Sequence, residues 1–207
     1  MPCVSILPHL DNRNLQFTFV NERSFIMKTN QKEHIADVAL QLFAAHGYDK
    51  TSIAMIAGKA EVAQGLMYNF YSSKDDLLKE ILNRGFEVIR LSMEAYTNEK
   101  DAKKAISKHI ESTFDLVEEN KEYWKLFHSI RMQNTVKQFL DETYHASLQL
   151  VMTTLTQNFK KMKYPNPAVE AKIFFATIDG LVNHYLMNED AFPLKKIKKH
   201  LIQKYTI

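Results

Sequence analysis

One predicted helix carries side chains of the types that hydrogen-bond to DNA bases. At 100° per residue, Gly65 and Asn69 face away from its apolar side, which consists of Met67, Phe70 and Tyr71. Gln64, Leu66 and Tyr68 stand at the flanks of this polar face. Gln and Asn amides can pair with adenine, an exposed Leu can pack on a thymine methyl group, and glycine lets a surface come close. The pattern predicts a helix that enters a DNA major groove. Its reading face consists of Gln64, Gly65, Leu66, Tyr68 and Asn69.

A second short helix must position this one. Apolar residues at i, i+3, i+4 and i+7 precede it, namely Ile53, Ile56, Ala57 and Ala60. The joint between the two helices is so small that they must cross steeply, as in a helix-turn-helix. We expect Thr51 to cap the first helix, with its hydroxyl also able to contact a phosphate. Lys74 opens the following helix, where a cation opposes the helix dipole, so we expect it to bind a DNA phosphate as well.

From about residue 31 to 78 the sequence resembles the DNA-binding domain of the TetR family of bacterial repressors. The matching positions are Phe43, Gly47, Tyr48, Thr51, Ile56, Ala57, Ala60, Val62, Gly65, Tyr68, Tyr71, Lys74 and Leu77. The resemblance implies that the Tyr68 hydroxyl binds a phosphate. Two positions differ, because the family usually has Gly at position 61 and Ser or Thr at position 63. Glu61 is therefore expected in a left-handed conformation at about 1–2 kcal/mol, and Ala63 forfeits a helix cap worth about 1 kcal/mol.

The composition is that of an ordinary helical globular protein. Of 207 residues, 45% are apolar and 25% charged, and only five Gly and five Pro interrupt the chain. A single cysteine, Cys3, excludes an internal disulfide and fits a reducing cytoplasm. No apolar run reaches the roughly 18 residues of a membrane span. The formal charge is +3, and residues 28–91 hold eight basic and eight acidic side chains, so charge alone does not predict DNA binding.

The helical pattern extends along almost the whole chain. Amphipathic helices are predicted over 31–46, from Ser73 to about 93, over 102–117, near 123–131, over 135–162, from Pro167 to about 185 and over 194–205. The fold class is therefore all-α, with about nine helices. We expect a helix-turn-helix domain over 28–73 and a larger helical domain for effector binding and dimerisation over 74–207. Residues 1–27 are expected to be a disordered arm, or residues 1–26 lie upstream of the true start at Met27, or the segment is an arm that enters the DNA minor groove.

The larger domain offers candidates for two further sites. His109, Trp124, Phe127, His128 and Met132 either belong to the core or line a ligand cavity. TetR-like proteins commonly bind a small effector between these helices, and the aromatic residues would suit an apolar or aromatic one. The family resemblance also implies a homodimer formed by the last two long helices. Its expected contacts are Ala176, Gly180, Leu181, His184, Ile197 and Leu201.

The resemblance implies a cytoplasmic transcriptional regulator, most simply a repressor. A homodimer would bind a palindromic operator in double-stranded DNA and would be released by the effector. We predict no enzyme, no cofactor, no metal site and no membrane partner, since no catalytic or zinc spacing occurs. One alternative is a helical ligand-binding or scaffold protein whose helix-turn-helix no longer binds DNA. The other is an all-α enzyme.

Overall fold

The computed structural model describes residues 17–20, 24–27, 31–133 and 143–206. These ranges contain nine helices, as the apolar periodicity predicts. The helices are α1 Gln31–His46, α2 Ile53–Lys59, α3 Gln64–Phe70, α4 Lys74–Thr97, α5 Ala102–Glu119, α6 Lys121–Ile130, α7 Thr143–Lys161, α8 Pro167–Met187 and α9 Leu194–Thr206. None of them is long and apolar enough to cross a membrane. The helix predicted over 135–162 begins within residues 134–142, which lie outside the described residues.

Residues with capping side chains set several helix starts. Ser73 accepts the N–H of Asp76 at 3.0 Å before α4, and Asp101 accepts that of Lys103 at 2.9 Å before α5. The Asp76 carboxylate also accepts the N–H of Ser72 at 3.0 Å at the same helix start. Pro167 begins α8 as predicted.

A hydrophobic cluster joins the first three helices to α4 and α6. Phe43, Ile56 and Met67 are fully buried in it together with Leu78 of α4 and Leu126 of α6. The predicted domain boundary at residue 73 therefore does not coincide with a break in the packing. The amino-terminal half of α4 is part of the same core as the helix-turn-helix.

A second cluster fills the larger part of the molecule. It contains the distal half of α4, together with α5, α7, α8 and α9, and Phe114, Phe159 and Phe174 are its largest fully buried side chains. Ile89 and Trp124 pack against both clusters. The α4 helix therefore runs from one core into the other.

Two short strands precede the helices. β1 Phe17–Val20 pairs antiparallel with β2 Ser24–Met27, with Phe17 opposite Met27 and Val20 opposite Ser24. This pairing differs from the wholly disordered arm that was expected here. Residues 1–16, 21–23 and 28–30 lie outside the described residues.

Candidate nucleic-acid interface and ligand cavity

The turn between α2 and α3 is built on a left-handed residue. Glu61 has φ of 56°, as the sequence predicts, although it has a side chain at a position where glycine is favoured. Its N–H donates to the carbonyl of Gly58 at 3.3 Å, and that of Val62 donates to Ala57 at 3.0 Å. These two bonds satisfy carbonyls at the end of α2 and fix the crossing of the two helices. The turn therefore keeps the geometry of a helix-turn-helix, although Glu61 stands where glycine is favoured.

Apolar contacts hold α3 against the rest of the domain. Met67 and Tyr71 are buried, and Phe70 is half-buried against the same cluster. The Tyr71 hydroxyl donates to the carbonyl of Lys32 at 3.0 Å, which ties the end of α3 to α1. At the other end, Ala63 occupies the cap position without a side-chain hydrogen bond, as predicted.

The opposite face of α3 points outward. Gln64, Gly65 and Asn69 are exposed, Tyr68 is 54% exposed, and Leu66 is half-buried. A β-carbon on Gly65 would meet no atom within 4 Å among the described residues. Amides, a hydroxyl and an open backbone position thus stand together on one convex surface. Such a surface can donate hydrogen bonds to base edges and phosphates and can accept hydrogen bonds from base edges.

Thr51 does not cap α2, so that expectation is wrong. Its side chain is buried, with 1% exposure, and its hydroxyl donates inward to the carbonyl of Gly47 at 2.9 Å. Ser52 is the cap instead, and its hydroxyl accepts the N–H of Met55 at 3.2 Å. The exposed Ser52 hydroxyl is therefore the better candidate for a phosphate contact at this end of α2.

Lys74 has a structural partner that the sequence did not reveal. Its ammonium donates to the carbonyls of Tyr48 at 2.9 Å and of Thr51 at 3.1 Å. Lys74 therefore has a structural role beside the predicted phosphate contact, which stays a prediction. Two carbonyl oxygens at the end of the loop offset its unfavourable position near the helix dipole.

A cavity of about 110 Å³ lies between α4, α5, α6, α7 and α8. We call it the inner cavity. Four of the five predicted ligand residues line it, namely His109, Trp124, Phe127 and His128. The prediction for the fifth residue, Met132, is wrong, because this residue lies just beyond the end of α6 and is 88% exposed. Helical spacing places Met132 one turn from His128, but it does not show where the helix ends.

Several polar groups along the inner cavity have no hydrogen-bond partner within the described residues. They are Nδ1 of His109, Nε1 of Trp124 and both ring nitrogens of His128. Burial lowers the pKa of His109 to about 4, so its ring is neutral at neutral pH. Burial, and secondarily Arg131, also lower the pKa of His128. The cavity therefore combines an apolar wall with uncharged groups that can hydrogen-bond to a ligand.

One ion pair at the cavity edge was missed by sequence reasoning. The Arg131 guanidinium donates to both carboxylate oxygens of Asp179, at 2.7 and 2.8 Å. Forty-eight residues separate the two side chains, so no local spacing could have paired them. The pair links α6 to α8 and occupies the only arginine that lines the inner cavity within the described part of the chain.

The predicted dimer residues fall into two groups. Ala176 and His184 are exposed, and a β-carbon on Gly180 would meet nothing within 4 Å. Leu201 is 4% exposed and belongs to the core of its own chain, so its prediction as a dimer contact is wrong. Leu181 and Ile197 are half-buried against the same core. The sequence could not separate these groups, because an amphipathic helix shows which face is apolar but not what covers it.

The exposed part of α8 carries an apolar stripe that polar side chains interrupt between Gly180 and Met187. Val169, Ile173, Ala176, Gly180 and Met187 follow one another at helical spacing. Of these, Val169, Ile173 and Met187 are large apolar side chains with high exposure. Leu150 on the neighbouring α7 is exposed as well. No group of three or more potential metal ligands occurs in the described part of the chain.

Comparisons with known proteins agree with this architecture. The family model of "bacterial regulatory proteins, tetR family" matches residues 35–81. The fatty acid metabolism regulator protein of Bacillus subtilis is 23% identical over 175 residues, which cover 82% of this chain and 90% of that protein. The regulator AcrR of Shigella flexneri is 44% identical over 50 residues, covering 24% of this chain and 23% of that protein.

A solved structure shares the fold beyond the helix-turn-helix. The transcriptional regulator FadR from Bacillus subtilis in complex with stearoyl-CoA superimposes with a TM-score of 0.71. The two chains are 22% identical, and the match covers 84% of this chain and 97% of that one. Residues 35–81 therefore match the DNA-binding part of bacterial regulators of the TetR family, and the larger helical part shares its fold with FadR.

Proposed function

We propose that this protein is a repressor that binds a palindromic DNA operator as a homodimer and is released by a small effector. The exposed face of α3 carries the proposal. Gln64 and Asn69 point outward, while Met67 and Tyr71 hold the helix in place from the opposite side. Two α3 helices of a dimer would enter successive major grooves about 34–36 Å apart.

The contacts divide into those that read bases and those that position the protein. Gln64 and Asn69, with amides at the exposed surface, are proposed to hydrogen-bond to base edges, with Leu66 beside them. Tyr68 and Ser52 have exposed hydroxyls suited to phosphates. Lys74 is only half-buried, so its ammonium can attract a phosphate while it keeps its carbonyl partners.

The apolar stripe on α8 supports a symmetric dimer. A second copy of the stripe would cover Val169 and Ile173 and remove exposed apolar surface from water. Ala176 and Gly180 have small side chains that allow two helices to approach closely.

The inner cavity supports an effector site. It is lined by aromatic and aliphatic residues with a few unpartnered polar groups, the usual composition of small-molecule sites. The Bacillus subtilis neighbour binds stearoyl-CoA, whose acyl chain is apolar. An apolar or aromatic effector here would press on α4 and α6, which share a core with the helix-turn-helix. A coupling of about 1–3 kcal/mol would be sufficient for regulation.

Fluorescence anisotropy with the DNA upstream of the protein's own gene tests the proposal. The wild type should bind tightly and lose affinity steeply with salt. Gln64→Ala and Asn69→Ala should relax the preference at particular bases, whereas Tyr68→Phe should weaken binding to all sequences similarly. Asn83→Ala, an exposed amide on α4, is the control and should change nothing. If DNA binding were unaltered in all three variants, α3 would not be the surface that contacts DNA. That outcome would instead favour the helical ligand-binding protein that does not use α3 on DNA.

A further inference from the structure

The inner cavity has a larger neighbour on the other side of Trp124. This second space has a volume of about 310 Å³ and lies between α1, α4 and the junction of α5 and α6. We call it the outer cleft. Ile89, Leu116 and Trp124 line both spaces, so they form the partition between them. The inner cavity alone is below the range of about 300–1,000 Å³ typical of ligand sites, but the two spaces together fall within it.

Acidic side chains outnumber basic ones along the outer cleft. Asp37, Glu119 and Glu122 line it, and Arg84 is the only basic residue that does so among the described residues. The Arg84 guanidinium lies 2.9 Å from a carboxylate oxygen of Glu80 and 4.0 Å from one of Asp37. Burial raises the pKa of Asp37 to about 6 in spite of Arg84. This burial disfavours the charged form of Asp37, so the preference for a cation rests on the excess of carboxylates over the Arg84 guanidinium, which already lies beside two acidic side chains.

The inner cavity has the opposite character. Its unpartnered polar groups are the neutral imidazole of His109, the indole N–H of Trp124 and the ring of His128. Among the described residues that line it, the one cation is Arg131, which already binds Asp179 through two hydrogen bonds. An anionic group entering here would have to displace that carboxylate. An uncharged apolar segment meets no such obstacle.

We propose that the effector is an amphipathic cation that spans both spaces, with its apolar segment in the inner cavity and its positive head group in the outer cleft. The Trp124 side chain turns aside as the ligand enters and then lies along it. Because the outer cleft is also lined by Asp37, Leu40 and Gln41 of α1, the head group touches the DNA-binding part directly. This inference rests on the proposed regulator function and specifies its ligand.

Intrinsic fluorescence provides the test, since Trp124 is the only tryptophan of the chain. The full-length protein is titrated, below micelle concentrations, with decyltrimethylammonium, decanoate and decyl maltoside. The decyltrimethylammonium cation should change the emission and bind most tightly, and decanoate should bind at least about tenfold more weakly. Decanoate binding as tightly as the cation, or no response of the emission to any probe, would overturn the inference.

Charge variants locate the head group. Asp37→Asn and Glu122→Gln should each weaken decyltrimethylammonium about two- to fivefold, the range of partly exposed charge pairs, and leave decyl maltoside unaffected. Glu118→Gln is the matched control, because Glu118 is an exposed glutamate four residues from Glu122 that lines neither space. Ser147→Phe, which fills the inner cavity alone, should weaken all three probes. If Glu118→Gln weakened the binding of decyltrimethylammonium equally, the preference for the cation would come from overall charge. The placement of the head group in the outer cleft would then be wrong.

The same samples separate this inference from the regulator function. Operator affinity is measured by anisotropy in parallel with the Trp124 emission. A protein that binds the operator but shows no preference for the cation contradicts the ligand inference alone. A protein that shows the cation preference but binds no DNA supports the two-space site and contradicts the regulator function.

Discussion

The Lys74 ammonium lies 4.3 Å from the centre of the Tyr48 ring and donates to the Tyr48 carbonyl at 2.9 Å. With the second bond, to Thr51, this contact closes the loop between α1 and α2 onto the start of α4. Tyr48 adds a hydrogen bond from its hydroxyl to Asp75. These polar contacts supplement the apolar cluster that holds the helix-turn-helix against α4.

Lys74→Ala should lower the free energy of unfolding by about 2 kcal/mol, because it leaves two carbonyl oxygens without their charged donor. Urea denaturation followed by circular dichroism measures the change. Lys79→Ala, at an exposed position one turn further along α4, should alter stability by less than about 0.5 kcal/mol. Equal stability of the two variants would contradict a structural role for the Lys74 contacts.

Glu61→Gly should stabilise the chain by about 1 kcal/mol, since glycine adopts the left-handed conformation of residue 61 without steric cost. Ala63→Ser should add a similar amount by capping α3. Thermal unfolding of the single and double variants measures both effects. Glu61→Ala, which removes the charge but keeps the β-carbon, serves as the control. If Glu61→Ala stabilises as much as Glu61→Gly, the backbone explanation is wrong.

Gly85→Ala should destabilise the protein by about 1–3 kcal/mol, because the new β-carbon would lie 1.9 Å from Cε2 of the buried Tyr123 ring. The close contact between α4 and α6 depends on this glycine. Adding Tyr123→Leu should recover part of the loss, which a double-mutant cycle in urea would show. Gly58→Ala, in a helix with nothing within 4 Å of the new atom, should cause no loss. Purely additive effects at positions 85 and 123 would contradict the steric account.

His109 should make stability depend on pH. Its pKa is lowered by burial from 6.5 to about 4, so unfolding takes up a proton between these values and stability falls as the pH decreases through them. The full effect is at most about 3 kcal/mol. Asp37 acts in the opposite sense. Because its pKa is raised to about 6, its carboxylate takes up a proton at a higher pH in the folded chain than in the unfolded chain, so acidification stabilises the fold through this group.

The comparison of the wild type with His109→Phe isolates this contribution. Urea unfolding at pH 7 and at pH 4.5 should show a smaller loss in the variant, since phenylalanine keeps the ring between Tyr96 and Phe174 but cannot protonate. His200→Gln, at an exposed position on α9, should behave like the wild type. Identical pH profiles for all three proteins would contradict a buried neutral histidine.

Ile173→Glu should convert the proposed dimer to a monomer, because Ile173 is 50% exposed at the middle of the α8 stripe and a charge there would be buried between copies. Sedimentation velocity measures the mass. Lys172→Glu, the exposed neighbour outside the stripe, should leave the dimer intact. A dimer that survives Ile173→Glu would move the interface to another surface.

The sequence was a good guide wherever a local signal determined the outcome. The spacing of Met67, Phe70 and Tyr71 predicted which side of α3 faces inward, and the family pattern predicted the strained Glu61. Helix ends were predicted within a few residues where Gly47, Ser73 or Pro167 marked them. These features depend on residues close together in the chain.

Contacts between distant residues were the ones the sequence could not supply. Thr51 was expected at the surface because threonine is a common cap, but the carbonyl of Gly47 draws its hydroxyl inward. The partners of Lys74 lie 23 and 26 residues away, and Asp179 lies 48 residues from Arg131. Leu201 and Ile173 look alike in sequence, yet one is covered by its own chain and the other is exposed.

The uninterrupted packing of α1–α3 with α4 and α6 limits how such a regulator can be rearranged. A chimera that joins this DNA-binding unit to another protein's sensor at residue 73 would leave Leu78 and Leu126 without their native neighbours. Successful exchange would require α4 and α6 to travel with the first three helices. The part of such a regulator that would bind DNA and the part that would bind the effector would therefore be inherited together and would diversify together.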